Sequence, residues 1–155
     1  MTYCFSTRVD RKFDDAVTAT KEALKHHYFK VVTELDMKEN FKTGLDVEFR
    51  PYLILGVCNP QLTYRALQAE DKIGTMLPCN IVIQETADRR VEISAVDPVA
   101  SMQAISHVVV GQVAHDIRYR LSSPNWISCG HDLRTHAQFC AVFQPSPGIE
   151  RWQCT

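Results

Sequence analysis

At 155 residues the chain is the size of one domain and can bury about two thirds of its unfolded surface, so folding requires neither a disulfide nor a metal. Its 17 basic and 18 acidic side chains leave a formal net charge of -1, which gives no support for the broad positive field that nucleic acid or an anionic membrane selects. Six cysteines are many, but the opening MTYCFSTRVDRK is charged at once and has no signal-peptide pattern; reduced thiols in a cytosol or an organelle interior are expected, not a secreted disulfide framework.

In chain order, Thr2 to Val9 alternate as a strand does, and Asp10 then stands as a helix N-cap before RKFDDAVTATKEALKHH. In that helix Phe13, Ala16, Val17, Ala23 and Leu24 share a face, and His26 and His27 end it where a cation suits the helix dipole. Phe29 to Leu35 reads as a second strand, and Met37 to Leu45 as a short helix closed by Gly44. The apolar PYLILGVC, bounded by Pro51 and by Asn59-Pro60, reads as a strand buried on both faces. Asn59 then caps a helix whose first position takes Pro60 and which runs through QLTYRALQAEDK. Cys79 to Glu85 and Arg90 to Val96 form two strands joined by the TADR turn. Asp97-Pro98 repeats the cap-then-proline signal and opens one long helix to about Leu121, with Val99, Met102, Ile105, Val109, Val113, Ile117 and Leu121 on one face. Its apolar run from Ile105 to Val113 is interrupted by His107 and Gln112 and is far short of the ~20 residues a membrane helix needs, so no membrane insertion is expected. The expected fold is α+β, with helices packed on one mixed, largely antiparallel sheet.

PYLILGVCNP, the following QLTYRAL, then LPCNIVI and VEISAVDPVASM occur in this order over about residues 2–121, and together they resemble the domain of unknown function 302 family. The resemblance implies a small open α/β sandwich, often dimeric, and no established reaction. It maps the family's Cys-Asn-Pro and Pro-Cys positions to Cys58, Asn59, Pro60, Pro78 and Cys79, and its Asp-Pro to Asp97 and Pro98. Residues 122–155 have no counterpart in that pattern and form an irregular C-terminal extension.

Cys58, Asn59, Cys79 and Asn80 are the candidate ligand or thiol site, with the helix start at Asn59 positioned to lower the Cys58 thiol's pKa. The alternative is two inert packed cysteines. In the extension, Cys129, His131, His136 and Cys140 supply a zinc-type ligand set, two thiolates and two imidazoles, although their C-x-H-x4-H-x3-C order departs from the two close pairs of recognised zinc fingers; beyond that zinc or another metal, no cofactor is expected. His107 and His115 fall near the apolar face of the last helix, as packed residues or as acid–base candidates. No Ser/His/Asp order, H-E-x-x-H or glycine-rich phosphate loop is present. Trp126, Phe139, Phe143 and Trp152 make the extension too apolar for a solvated tail, and they are candidate interface residues. The leading expectation is a noncatalytic binding or assembly protein that forms a homodimer or docks into a larger complex. A thiol-dependent redox, metal or small-ligand protein using Cys58 and Cys79 is the alternative.

Overall fold

A computed structural model describes residues 3–122. Five strands form one antiparallel sheet: β1 (Cys4–Val9), β2 (Lys30–Asp36), β3 (Tyr52–Cys58), β4 (Cys79–Glu85) and β5 (Val91–Val96), in the spatial order β1-β5-β4-β3-β2. The helices are α1 (Phe13–His26), α2 (Met37–Leu45), α3 (Pro60–Ala69), α4 (Pro98–Met102) and α5 (Val108–Ser122), with a 3-10 turn at Asp71–Met76.

Side chains alternate across a strand, so the register sorts the sheet into two faces. Leu55 lies opposite Ile81, Ile81 opposite Ala95, Ile83 opposite Ile93 and Val57 opposite Cys79. All of these are buried, together with Ala16, Leu24, Leu62, Ile73, Val110, Val113, Ile117 and Leu121 from the helices and the 3-10 turn. One face of the sheet therefore carries the core. The α2 helix contacts β2 and β3, and α5 contacts α3 and α4.

Local chemistry places most boundaries. Asn59 accepts at Oδ1 from the Leu62 N–H at 3.1 Å, and Pro60 takes the first helical position. Asp36 caps α2 by accepting from the Glu39 N–H. The α1 helix ends in a Schellman arrangement: the Tyr28 N–H donates to the Lys25 carbonyl, and the Phe29 N–H to the Leu24 carbonyl. Leu24 and Phe29 are both buried, which supplies the apolar contact of that motif. Tyr28 holds the left-handed position, with φ 63°, where glycine is usual.

The structure differs from the sequence expectation in several places. The helix after β1 begins at Phe13, with Lys12 rather than Asp10 at the cap position and no side-chain capping bond. Gly44 does not close α2; Asp46 does, in the left-handed region at φ 52°, where an aspartate is tolerated better than most side chains. The helix after Pro60 stops at Ala69, and the chain continues as the 3-10 turn. The expected single helix from Pro98 is two, interrupted at 103–107, and α5 restarts because His107 accepts the Val109 N–H at Nδ1, 3.2 Å away. β3 is buried fully on one face only, since Tyr52, Ile54 and Cys58 on the other are half-buried. Gly56 faces away from the helices yet is buried, and a Cβ there would collide with Thr33 Oγ1 and Pro78 Cγ. The register of β2 shifts between Val31 and Thr33, a bulge in the edge strand.

Asp97 joins four parts of the chain. Its N–H donates to the Tyr3 carbonyl at 2.8 Å, its Oδ1 accepts the Val99 N–H at 3.0 Å to start α4, and its Oδ2 lies 3.7 Å from Arg118 Nε on α5. The Arg118 guanidinium in turn lies over the Phe5 ring of β1, 5.6 Å from its centroid.

Two substitutions test these packing arguments by urea unfolding. Gly56→Ala is expected to destabilise the fold by about 1–3 kcal/mol, the usual range for overpacking, because the Pro78 ring cannot rotate away; an unchanged midpoint would show that β3 and the Pro78 turn are not in close contact. Tyr28→Gly is expected to stabilise by up to about 1 kcal/mol through relief of the left-handed backbone. A loss of stability would mean that the Tyr28 ring makes contacts worth more than that strain.

Candidate functional site

The two cysteines singled out in the sequence lie near each other but on different faces. Cys79 sits directly across from Val57, on the helix-covered side, and is buried. Cys58 is one residue beyond Val57, so the pleat turns it to the other side, where it is half-buried. Both thiols are free. Burial, reinforced by the proximity of Cys58, pushes the Cys79 thiol up to about 11, so it stays protonated at neutral pH. Asn59 is buried and committed to capping α3. Asn80 lies opposite Gly56 and is exposed. Among the described residues no group of three or more His, Cys, Asp or Glu is placed to hold a metal ion. The zinc-type set Cys129, His131, His136 and Cys140 and the aromatic set Trp126, Phe139, Phe143 and Trp152 lie outside the described residues.

The histidines have local roles. His107 caps α5, and His115 is exposed on the same helix. His27 closes α1, but burial, then Arg120, then His26 hold its pKa below the usual imidazole value. The helix dipole at that end favours the cation, and the environment opposes it. A cleft of about 670 Å³ at the start of α1 is lined by Asp10, Arg11, Lys12, Phe13, Glu85, Arg89 and Val91. Its three cations and two carboxylates oppose each other, so it presents no field of one sign.

The other face of the sheet is a surface whose residues sequence reasoning did not name as a set. By the register, its positions across β3, β4, β5 and β1 are Tyr52, Ile54, Gly56 and Cys58; Asn80, Val82 and Gln84; Glu92, Ser94 and Val96; and Cys4, Ser6 and Arg8. Only Arg8 and Glu92 are charged, and they pair with each other, Nε to Oε2 at 3.4 Å. This scarcity of charge stands out in a chain with 35 charged side chains, 17 basic and 18 acidic. A row of polar contacts crosses the sheet at one end: Arg50 Nη2 donates to Gln84 Oε1 at 2.8 Å, and Gln84 Nε2 donates to Glu92 Oε1 at 3.1 Å, which Arg8 then meets. Ser6 and Ser94 hydrogen-bond across β1 and β5 at 2.8 Å. At the β3 corner Phe41 stacks edge-on against Phe49 at 5.1 Å, Phe49 lies 6.0 Å from Tyr52, and the Arg50 guanidinium covers the Phe49 ring at 4.6 Å. The signal was present in the sequence as Asn80, Val82 and Gln84 in β4 and Ser94 and Val96 in β5, with Glu92 the one charge among the outward positions of these two strands.

Helices on one side of a five-stranded antiparallel sheet define an α+β open sandwich. The chain belongs to the family described as Domain of unknown function DUF302, whose model matches residues 5–123. It is similar in fold to the crystal structure of an uncharacterized conserved DUF302 protein from Bacillus stearothermophilus, at TM-score 0.73 and 24% identity, covering 79% of this chain and 94% of that one. No curated protein matches. No helix among the described residues is long and apolar enough to cross a membrane.

The Cys79 environment has a pH consequence with a definite sign. The unfolded chain ionises this thiol near its ordinary value, while the folded chain keeps the proton up to about 11. The stabilisation is therefore complete below pH 9 and is lost as pH rises from 9 through 11. The stability difference between wild type and Cys79→Ala, from urea unfolding, is expected to shrink by about 2 kcal/mol between pH 8 and pH 10.5. A difference that stays constant would show that the folded thiol ionises freely.

Proposed function

We propose that this protein is a noncatalytic assembly protein whose uncharged sheet face packs against the same face of a second copy. The single observation behind this reading is the near absence of charge on that face, where the only two charged side chains across four strands neutralise each other. An antiparallel sheet with one face in water ordinarily alternates apolar with polar residues, charged ones among them. Here the central outward positions are Ile54, Val82 and Val96 among Ser, Asn and Gln, small enough or flat enough for a second sheet to approach to the ~10 Å typical of face-to-face packing.

The size supports a second copy as the occupant. Four strands at about 4.8 Å spacing and six residues at about 3.3 Å rise give a patch roughly 20 Å on a side. With the adjoining Phe49, Arg50 and Tyr52 corner, it approaches the ~600 Å² per partner at the small end of stable interfaces. Arg and Tyr at such a corner are the residue types that carry binding energy when buried. A flat face of this kind suits an isologous contact, in which one patch serves both partners. Thiol chemistry at Cys58 and Cys79 draws less support, since Cys79 is buried with a raised pKa and the two side chains leave the sheet on opposite sides.

Light scattering coupled to size exclusion on the full chain is expected to give a dimer mass. Val82→Arg, at the centre of the patch, is expected to give a monomer with an unchanged circular dichroism spectrum. A wild-type monomer at 100 µM and above, or a Val82→Arg protein that remains dimeric, would overturn the reading.

A further inference from the structure

We propose that His107 is a proton-operated cap, holding the first turn of α5 while its imidazole is neutral and releasing it on protonation. The inference stands apart from the assembly reading, because His107 lies at the joint between α4 and α5 and not on the uncharged sheet face.

The geometry is that of a side-chain N-cap with an unusual acceptor. The Val109 N–H donates to His107 Nδ1 at 3.2 Å, and the His107 carbonyl accepts the Gly111 N–H at 2.9 Å, which places His107 at the cap position of a helix beginning at Val108. Asp, Asn, Ser and Thr, which usually hold this position, accept through an oxygen that keeps its lone pairs at neutral and mildly acidic pH. An imidazole nitrogen accepts only while it is unprotonated. Protonation turns Nδ1 into a donor facing another donor, and it places a positive charge at the positive end of the helix dipole. Both effects have the same sign.

Among the described residues, the helices packed against α5 bring few charges to this group. From Pro98 to His115 the chain has no Asp, Glu, Lys or Arg. The helices in closest contact with α5 are α3 and α4. α4 has no charged residue, and α3 has only Arg65, which pairs with Asp116 at 3.5 Å, more than two turns further along α5. His115, exposed on α5, is the other histidine in this stretch. His107 is itself exposed, so protons reach it without any opening of the fold. The turn it holds precedes the buried Val110 and Val113, so release of the cap loosens the start of a core helix at its junction with α4.

Amide hydrogen exchange by NMR on the full chain, corrected for intrinsic rates, tests this at Val109. In wild type, the Val109 protection factor is expected to fall about 3- to 10-fold between pH 7.5 and pH 5.0. His107→Asn, a cap that does not titrate, is expected to keep its protection at both pH values. His107→Ala is expected to be low at both, and His115→Asn to behave as wild type. Equal protection of wild type at the two pH values would overturn the proposal. So would a fall in His107→Asn as large as in wild type, which would locate the proton elsewhere.

Discussion

The register between β3 and β4 is the constraint on which the rest of the molecule depends. With Val57 opposite Cys79 and Leu55 opposite Ile81, every apolar side chain of the two central strands that can reach a helix does so. A slip of one residue would exchange the faces, placing Ile54, Val82 and Asn80 under the helices and Leu55 and Ile81 outside. The same pairing sends Cys58 and Cys79 to opposite sides and brings Pro78 over Gly56. Two cysteines in matching sequence settings thereby acquire unlike environments.

Asp97 does for the outer strands and last helices what that register does for the centre. One carboxylate starts α4 and meets Arg118, while the residue's backbone ties the end of β5 to the chain before β1. It is buried, and a buried carboxylate persists only when both oxygens find partners. Its partners here come from elements distant in sequence, so the capping signal visible in Asp97-Pro98 is also a tertiary contact. The Arg118 that answers it also covers Phe5, which brings the first strand and the last helix to one point.

Much of this was legible in the sequence, because the physics is local. Asn59-Pro60 and Asp97-Pro98 mark helix starts through capping oxygens and an amide that needs no partner, and both start helices as read. The family motifs GVCNP and LPCN identify the chain, and the alternation in β4 and β5 is plain. The boundaries that were missed depend on contacts a sequence does not display. Nothing in a heptad-like apolar pattern from Val99 to Leu121 announces that the helix breaks after Met102 and begins again behind His107. Asp10 looks like a cap, but the helix starts three residues later. The Gly44 signal was overridden by Asp46, which accepts the left-handed conformation two residues on. The uncharged face was written in single outward residues of four separate strands, and only their pairing makes those residues one surface.

The bulge between Val31 and Thr33 bears on how this protein behaves in a crowd of its own kind. β2 is an outer strand whose free N–H and C=O groups could template another strand, the route by which sheets grow into fibres. The bulge breaks the regular spacing such growth needs, and Lys30, Glu34 and Asp36 put charge along the same short strand, with Glu34 held by Lys21 at 2.7 Å. On this side the sheet resists sideways extension.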